Sequence, residues 1–358
     1  MDELFYNAVD LLKQLIATPS TSRNESGAAD CVEEFLRSNG ADTKRHGNNV
    51  WSISHDYDPS RPTLLLNSHI DTVKPVAGWV HDPFTPETDD ESRLFGLGSN
   101  DAGGALVSLI TAYLYLSNCE SRSYNIIMLA SCEEEVSGKN GIEAVIPMLP
   151  HVDVAIVGEP TGMQPAIAEK GLMVLDGTIT GVSGHAARNE GVNAIYKAID
   201  VIDRLRTLRL PKESPTLGAV KISVTQIESG TQHNVVPDCC KIVVDVRTTD
   251  AYTNTETLEL IRKAVPECSF NPRSTRLNPS GISPQHPIVK RLEMLGAQAF
   301  GSPTLSDQAL MPWQSVKLGP GQSSRSHTAD EFIYLSEIRE AINTYIKILE
   351  GIDLRESI

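Results

Sequence analysis

The chain has 358 residues, more than a single hydrophobic core usually holds, so two domains are the default expectation. Acidic side chains outnumber basic ones by 46 to 31, and the formal net charge of -15 disfavours binding to nucleic acid or to an anionic membrane surface. The first residues lack the basic and apolar regions of a signal peptide, and no apolar run has membrane-spanning length. We therefore expect a cytoplasmic protein that acts on small molecules.

The first part of the chain alternates helical patterns with short apolar runs, which predicts an α/β fold with a mainly parallel sheet. The pattern resumes near the carboxyl end. The predicted helices cover residues 2–17, 25–39, 103–118 and 336–349. The predicted strands are Thr63–Asn67, Asn125–Ser131, Val152–Val157 and Ser315–Leu318. The early strands end abruptly in polar residues, and this feature directs attention to their carboxyl ends.

The middle of the chain has a different pattern, in which strand, helix, two strands and helix follow one another. These elements are predicted at Gly171–Thr180, Val192–Leu208, Ala219–Glu228, Lys241–Thr248 and Thr255–Ala264. The first of these helices is predicted to be amphipathic, because apolar residues recur at helical spacing at Ile195, Ile199, Ile202 and Leu205. The order suggests a small α+β domain of the βαββαβ type. The predicted domains are 1–166 with 283–358, and an inserted domain at 167–282.

Five polar clusters lie at or soon after predicted strands or turns. They contain His69 and Asp71, Asp101, Glu133 to Glu135, Glu159 and, after the late strand, His327. Parallel strands have their carboxyl ends at one edge of the sheet, where ligands bind, so these clusters could meet at one site.

The clusters would supply two imidazoles and several carboxylates, a ligand set that suits two divalent ions per chain. Zinc is the first choice, and cobalt or manganese are possible replacements. Taken singly, a His-x-Asp pair is more often a hydrogen-bonded surface pair, and a run of glutamates is more often a solvated helix start. Three adjacent glutamates after an apolar strand repel one another unless a positive charge neutralises them, and a metal ion would do so.

Taken together, these segments resemble the zinc-dependent family that includes acetylornithine deacetylase, succinyl-diaminopimelate desuccinylase, aminoacylase and glutamate carboxypeptidases. The shared order is His-x-Asp, Gly-x-x-Asp, Glu-Glu, Gly-Glu-Pro and a late His, and it spans nearly the whole chain. The resemblance implies that His69 and Glu159 bind one metal ion. It implies that Glu135 and His327 bind the other, and that Asp101 bridges the two.

The same resemblance assigns roles to two further residues near the metals. Asp71 would hydrogen-bond the free nitrogen of His69 and so fix its tautomer. Glu134 would be the general base, which accepts a proton from water and then protonates the departing amine.

The inserted domain resembles the lid and dimerisation domain of this family, which implies a homodimer. His185, in the segment GVSGHAAR, matches a histidine that stabilises the oxyanion, often in a neighbouring subunit's site, although a capped helix start is the alternative. Asn234 and Arg247 match positions that hold substrate, and Arg247 suits bidentate recognition of an α-carboxylate. Asp245 shares the strand face of Arg247, so an internal ion pair is the competing interpretation.

The length, the GEPT segment and the GPGQSSRSHTADE segment are most similar to the acetylornithine and acetyl-lysine deacetylase branch. This implies hydrolysis of an N-acetylornithine-like amino acid in arginine or lysine biosynthesis. Desuccinylation of N-succinyl-ornithine, -citrulline or -diaminopimelate, or cleavage of a dipeptide, are the alternatives within the enzyme class. A catalytically silent ligand-binding protein on the same fold is the alternative from a different class, and the presence of Glu134 together with all five metal positions argues against it.

Overall fold

The structure is a computed structural model that describes residues 2–119 and 122–357. The chain divides into two compact units. The first consists of Met1–Ile167, Gly281–Phe300 and Ser306–Ile358. The second consists of Ala168–Ser280 and Gly301–Leu305.

The helices and strands are numbered here in chain order. The α-helices are α1 (Asp2–Ile16), α2 (Ser26–Ser38), α3 (Gly104–Ser117), α4 (Ile142–Val145), α5 (Ala194–Thr207), α6 (Asn254–Ala264), α7 (Pro287–Met294) and α8 (Leu335–Leu349). The strands are β1 (Thr43–His46), β2 (Asn49–Ile53), β3 (Thr63–His69), β4 (Glu87–Thr88), β5 (Arg93–Phe95), β6 (Asn125–Ser131), β7 (Val154–Val157), β8 (Ala166–Glu169), β9 (Gly171–Thr180), β10 (Gly184–His185), β11 (Lys221–Ser229), β12 (Val235–Val236), β13 (Cys239–Thr248), β14 (Cys268–Pro272), β15 (Ser280–Gly281), β16 (Phe300–Ser302), β17 (Gln314–Lys317) and β18 (Phe332–Tyr334). Among the described residues, no helix is both long and apolar enough to cross a bilayer.

In the part of the chain that the structure describes, a nine-stranded sheet forms the centre of the first unit, and its strands run in the order β1-β2-β6-β3-β7-β17-β8-β15, with β16 paired to β8 as a branch. The pairs β3–β6, β3–β7 and β7–β17 are parallel, whereas the pairs β1–β2, β2–β6 and β8–β17 are antiparallel. The expectation of an α/β fold with a mainly parallel central sheet is therefore confirmed.

The central strands are buried along their whole length because helices cover the sheet. The helix α3 is apolar on nearly all sides and packs between the sheet and the helices α1 and α8. Such a helix is stable only inside a core, since one exposed side would leave a wide apolar surface in water.

Strand ends determine where the polar clusters lie. The strand β6 has the predicted bounds, and β3 runs two residues beyond its predicted end, so that His69 is the last residue of that strand. Since β3 and β6 are parallel neighbours, with His69 opposite Ser131, the residues that follow them emerge side by side at the carboxyl edge. The mainly parallel order thus brings the first and third clusters together.

The second unit contains a four-stranded antiparallel sheet in the order β11-β13-β9-β14. One face of this sheet packs against the helices α5 and α6 around a separate apolar core. Strands and helices follow one another as β9, α5, β11, β13, α6 and β14, with the short strands β10 and β12 forming a two-stranded pair of their own.

The buried face of α5 differs from the predicted one. Its buried residues are Ala194, Ala198, Val201 and Leu205. Ile199, which the helical spacing placed on the apolar face, is 58% exposed. Small alanines allow the helix to approach the sheet closely, so the bulkier isoleucine lies on the outward side. The prediction for this residue was wrong.

Candidate metal centre

His69 is buried at the end of β3, with its two ring nitrogens in different surroundings. Nδ1 donates to the backbone carbonyl of Asp71 at 2.9 Å, and the Asp71 carboxylate is 3.5 Å away. Nε2 faces Asp101 Oδ1 at 3.3 Å and Glu159 Oε1 at 3.7 Å. Because a carbonyl oxygen can only accept, Nδ1 carries the proton of the neutral ring. Nε2, the nitrogen directed at the carboxylates, is then the one with the free lone pair.

Asp71 holds the turn that carries the glutamates. Its carboxylate accepts the backbone N–H groups of Glu134 at 3.0 Å and Glu135 at 3.1 Å, and the hydroxyl of Ser22 at 2.7 Å. The side chain is fully buried. Asp71 therefore orients His69 mainly through its backbone and orients the two glutamates through its carboxylate.

The three adjacent glutamates do not share one environment. Glu133 adopts a left-handed conformation, with φ of 56°, and its carboxylate accepts the side-chain amide of Asn140 at 2.8 Å. Glu134 and Glu135 lie in a short 3-10 turn that follows. The turn separates Glu133 from the other two glutamates, so mutual repulsion is relieved partly by geometry rather than by a metal ion alone.

Asp101 lies between the two histidines. Its Oδ1 is 3.3 Å from Nε2 of His69, and its Oδ2 is 3.5 Å from Nε2 of His327. His327 is also 3.0 Å from the Glu135 carboxylate. One carboxylate with an oxygen toward each imidazole is the arrangement that a bridging ligand requires.

The turn before Asp101 depends on glycine. Gly98 has a φ of +77°, a conformation that side-chain-bearing residues rarely adopt, and a Cβ built there would lie 2.7 Å from the side chain of Thr72. The glycine thus permits the sharp turn that brings Asp101 to the site.

The pKa values show how much negative charge is concentrated here. Burial raises the pKa of Glu134 well above its ordinary value, and the neighbouring Glu159 raises it further. Burial also raises the pKa of Glu159 to about 8. The hydrogen bond to Glu135 raises the pKa of His327 to about 9, although burial acts in the opposite direction. These directions indicate that the two imidazoles alone do not compensate the carboxylates.

The donor set fits divalent metal ions. Ligand atoms of His69, Glu134 and Glu159 lie within 4.8 Å of one another, and so do those of His69, Asp101 and Glu135. Imidazole with carboxylate is a ligand combination that zinc and similar ions accept, and each ion would supply the positive charge that buried carboxylates need. The residues of the first unit are therefore suited to hold metal.

The predicted site residues of the second unit form two groups. His185, on β10, is exposed and pairs with Val235 of β12, while the backbone carbonyl of Asn234 accepts the N–H of Ala186 at 3.0 Å. Arg247 makes a bidentate ion pair with Asp245, at 3.0 and 3.2 Å. The structure thus brings His185 close to Asn234 and places the competing carboxylate directly on Arg247.

Sequence reasoning missed two buried carboxylates of this region, Glu331 and Asp307. Glu331 accepts three backbone N–H groups of the loop that carries Asp101. Asp307 accepts the hydroxyl of Ser131 at 2.6 Å, and burial raises its pKa to about 6. Glu331 belongs to the same segment as His327, which is a usable signal, whereas nothing in the local sequence of Asp307 indicates its burial.

Segments at one edge of the central sheet gather histidines and carboxylates into a candidate metal centre on an α/β fold, and this combination is typical of metal-dependent hydrolases. The sequence model of Peptidase family M20/M25/M40 matches residues 65–351. The chain belongs to this family.

Known relatives and structures agree with this membership. An acetylornithine deacetylase from Klebsiella pneumoniae is 30% identical, and the alignment covers 94% of this chain and 96% of that protein. A candidate succinyl-diaminopimelate desuccinylase from Mycobacterium tuberculosis is 29% identical over 98% of this chain and 100% of the relative. The YXEP protein of Bacillus subtilis, described as a dinuclear metal-binding peptidase of the M20 family, shares the fold with a TM-score of 0.77 over 100% of both chains, at 17% identity.

Proposed function

We propose that this protein hydrolyses the amide bond of an N-acyl amino acid, with N-acetylornithine as the preferred kind of substrate, in arginine or lysine biosynthesis. The observation that carries the proposal is the cluster of Glu134 with His69, Asp101 and Glu159, which combines a candidate base with metal ligands. Similarity to an acetylornithine deacetylase over 94% of the chain supports the choice of substrate.

In this proposal His69 and Glu159 would hold one zinc ion, Glu135 and His327 would hold a second, and Asp101 would contribute to both. Cobalt or manganese can replace zinc, because the same nitrogen and oxygen donors suit them. When bound, the ions supply Lewis acidity, which polarises the amide carbonyl and makes water easier to deprotonate.

Glu134 moves the proton in this mechanism. Its carboxylate takes a proton from water, and the resulting hydroxide adds to the amide carbonyl carbon. When the C–N bond breaks, the electron pair stays with nitrogen, and Glu134 returns the proton to the leaving amine. Asp71 keeps Glu134 in position, because it binds the backbone N–H groups of the turn. His185 donates a hydrogen bond to the oxyanion.

Arg247 and Asn234 hold the amino-acid part of the substrate in this proposal. The guanidinium of Arg247 uses two of its nitrogens, Nε and one terminal nitrogen, on Asp245, so an incoming α-carboxylate can use the remaining edge or displace the internal partner. The charge of the pair is balanced in the free protein, which keeps this half-buried arginine compensated until substrate binds.

Replacement of Arg247 by alanine is expected to raise the Michaelis constant about tenfold or more, with little change in metal content, because a charge-assisted contact to substrate is lost. Michaelis constants for N-acetylornithine and its α-carboxamide would be measured for both proteins. Asp245→Asn is the matched control, since it removes the internal carboxylate and leaves Arg247 available. If carboxamide substitution weakens the substrate equally in wild type and Arg247→Ala, Arg247 serves only the ion pair with Asp245.

The proposed assembly is a homodimer formed through the second unit. Within the described residues β11 pairs only with β13, so its other edge is open, and Ile227 on this strand is 57% exposed. The adjacent helix α5 exposes Tyr196 and Ile199, at 69% and 58%. An open strand edge beside exposed apolar side chains favours pairing with a second copy about a twofold axis.

Desuccinylation is the second candidate function, and similarity to the Mycobacterium tuberculosis relative favours it. A metal-replete assay of the N-acetyl and N-succinyl forms of ornithine, citrulline, lysine and diaminopimelate, with a dipeptide added, separates the candidates by amine release. We expect N-acetylornithine to give the highest kcat/KM. A higher value for a succinylated substrate would transfer the assignment to desuccinylation, and hydrolysis of none, with metal bound, would favour a silent binding protein.

A further inference from the structure

The loop before α3, which carries Asp101, closes around the carboxylate of Glu331. Oε1 accepts the backbone N–H groups of Asn100 and Asp101, both at 2.8 Å, and Oε2 accepts that of Gly98 at 3.2 Å. The backbone carbonyl of Glu331 accepts a fourth N–H, from Gly96, at 3.0 Å. Glu331 is 1% exposed, so the side chain is enclosed by the loop that it binds.

The same loop is connected to the segment that carries His327. Asn100 donates its side-chain amide to the carbonyl of Gln322 at 3.1 Å and to the hydroxyl of Ser326 at 3.3 Å, and it accepts the N–H of Gln322 at 3.0 Å. Glu331 follows His327 by four residues. Hydrogen bonds therefore join the loop of Asp101 to the segment of His327 at two places, one before His327 in the chain and one after it.

Only a carboxylate meets the geometric demand at position 331. Three N–H groups of one loop point at two oxygens, and a glutamine would present an NH₂ group, which cannot accept, to at least one of them. Burial and, after it, the nearby charge of Asp101 raise the pKa of Glu331, so a negative charge is costly at this position.

We propose that Glu331 is a positioning residue that sets the backbone of the Asp101 loop so that the Asp101 carboxylate faces His69 and His327 at once. The inference rests on the proposed two-metal function. Without Glu331, the Asp101 side chain loses its fixed direction. The affinity for the ion that Glu135 and His327 would hold then falls most. His327 is half exposed, whereas His69 is buried and retains Glu159.

The test is a titration of metal-free protein with Co²⁺, followed by calorimetry and by visible absorption of the bound ion. Glu331→Gln is expected to weaken binding of the second ion about 10- to 100-fold, with a smaller effect on the first. Asp330→Asn is the matched control. It removes the adjacent negative charge but leaves an oxygen for the N–H groups of Val80 and His81, so both ions should bind as in wild type.

The ratio of the two affinities separates positioning from general structural support, because a loss of stability alone lowers the melting temperature of the metal-free protein without selecting one ion. If Glu331→Gln fails to fold, Glu331→Asp replaces it. Its carboxylate is one methylene shorter and cannot span all three N–H groups, so the same preferential loss is expected.

Two other results have distinct meanings. The positioning role is overturned if the variant at position 331 binds both ions with wild-type affinity. It is also overturned if Asp330→Asn loses as much affinity as that variant does. In both cases the proposed function stands. Failure of the wild-type protein itself to bind two ions overturns the proposed function instead.

Discussion

Replacement of Glu134 by glutamine is expected to lower turnover by at least about a hundredfold while the metal content stays unchanged. Glutamine has nearly the same size and keeps the backbone N–H that binds Asp71, but it cannot accept a proton from water. The measurement is kcat on N-acetylornithine together with metal analysis of the same sample.

Glu135→Gln is the matched comparison, because it makes the same chemical change one residue later. Glu135 contacts His327 at 3.0 Å, so this variant should lose metal and recover part of its activity when metal is added in excess. The opposite pattern, in which the Glu134 variant loses metal and the Glu135 variant keeps it, would mean that the base and ligand roles are assigned to the wrong members of the pair.

Mixing two inactive variants is expected to restore activity if His185 completes the site of a partner subunit. Glu134→Gln and His185→Ala should each be nearly inactive alone, the first because the base is missing and the second because the oxyanion loses its donor. In a mixed dimer, one site would contain both defects and the other would contain neither. Random exchange makes about half of the dimers mixed, so activity should recover to about a quarter of that of wild type.

The control for this experiment is subunit exchange itself, followed with two differently tagged copies. When exchange is demonstrated and activity still does not recover, His185 acts within its own chain, because each site then keeps one defect. Size measurements on the unmixed protein test the dimer separately. A monomer at assay concentrations would remove the basis for a shared site.

The local sequence predicted the central sheet well because its strands are continuous apolar runs with abrupt ends. β6 has the predicted bounds, and β3 differs only at its polar end. The hairpin of β1 and β2 was not predicted, because the residues Thr43–His46 are polar and short and become a strand only by pairing at the edge of the sheet. The prediction for Ile199 failed for a related reason. Helical spacing reveals an apolar stripe but not which side of the helix the sheet covers.

The residues proposed as metal ligands lie in motifs that local sequence reveals, whereas the contacts that position them join residues far apart in the chain. His69, Asp101 and Glu159 stand at strand ends or after glycines, and the order of their motifs along the chain marks them through the family resemblance. Ser22 reaches Asp71 across 49 residues, and Glu331 reaches Asp101 across 230, so no local pattern reveals either contact. Local sequence also does not reveal how Asp71 contacts His69. The shorter contact is made by the backbone carbonyl of Asp71 and not by its carboxylate.

Removal and return of metal tests the central claim most directly. The protein would be stripped with a chelator, dialysed, and assayed on N-acetylornithine while zinc or cobalt is added back in measured amounts. We expect the stripped protein to be inactive, because the ion that His69, Asp101 and Glu159 are proposed to hold is then absent. Activity should return with up to two bound ions per chain. Full activity with metal rigorously absent would contradict the account.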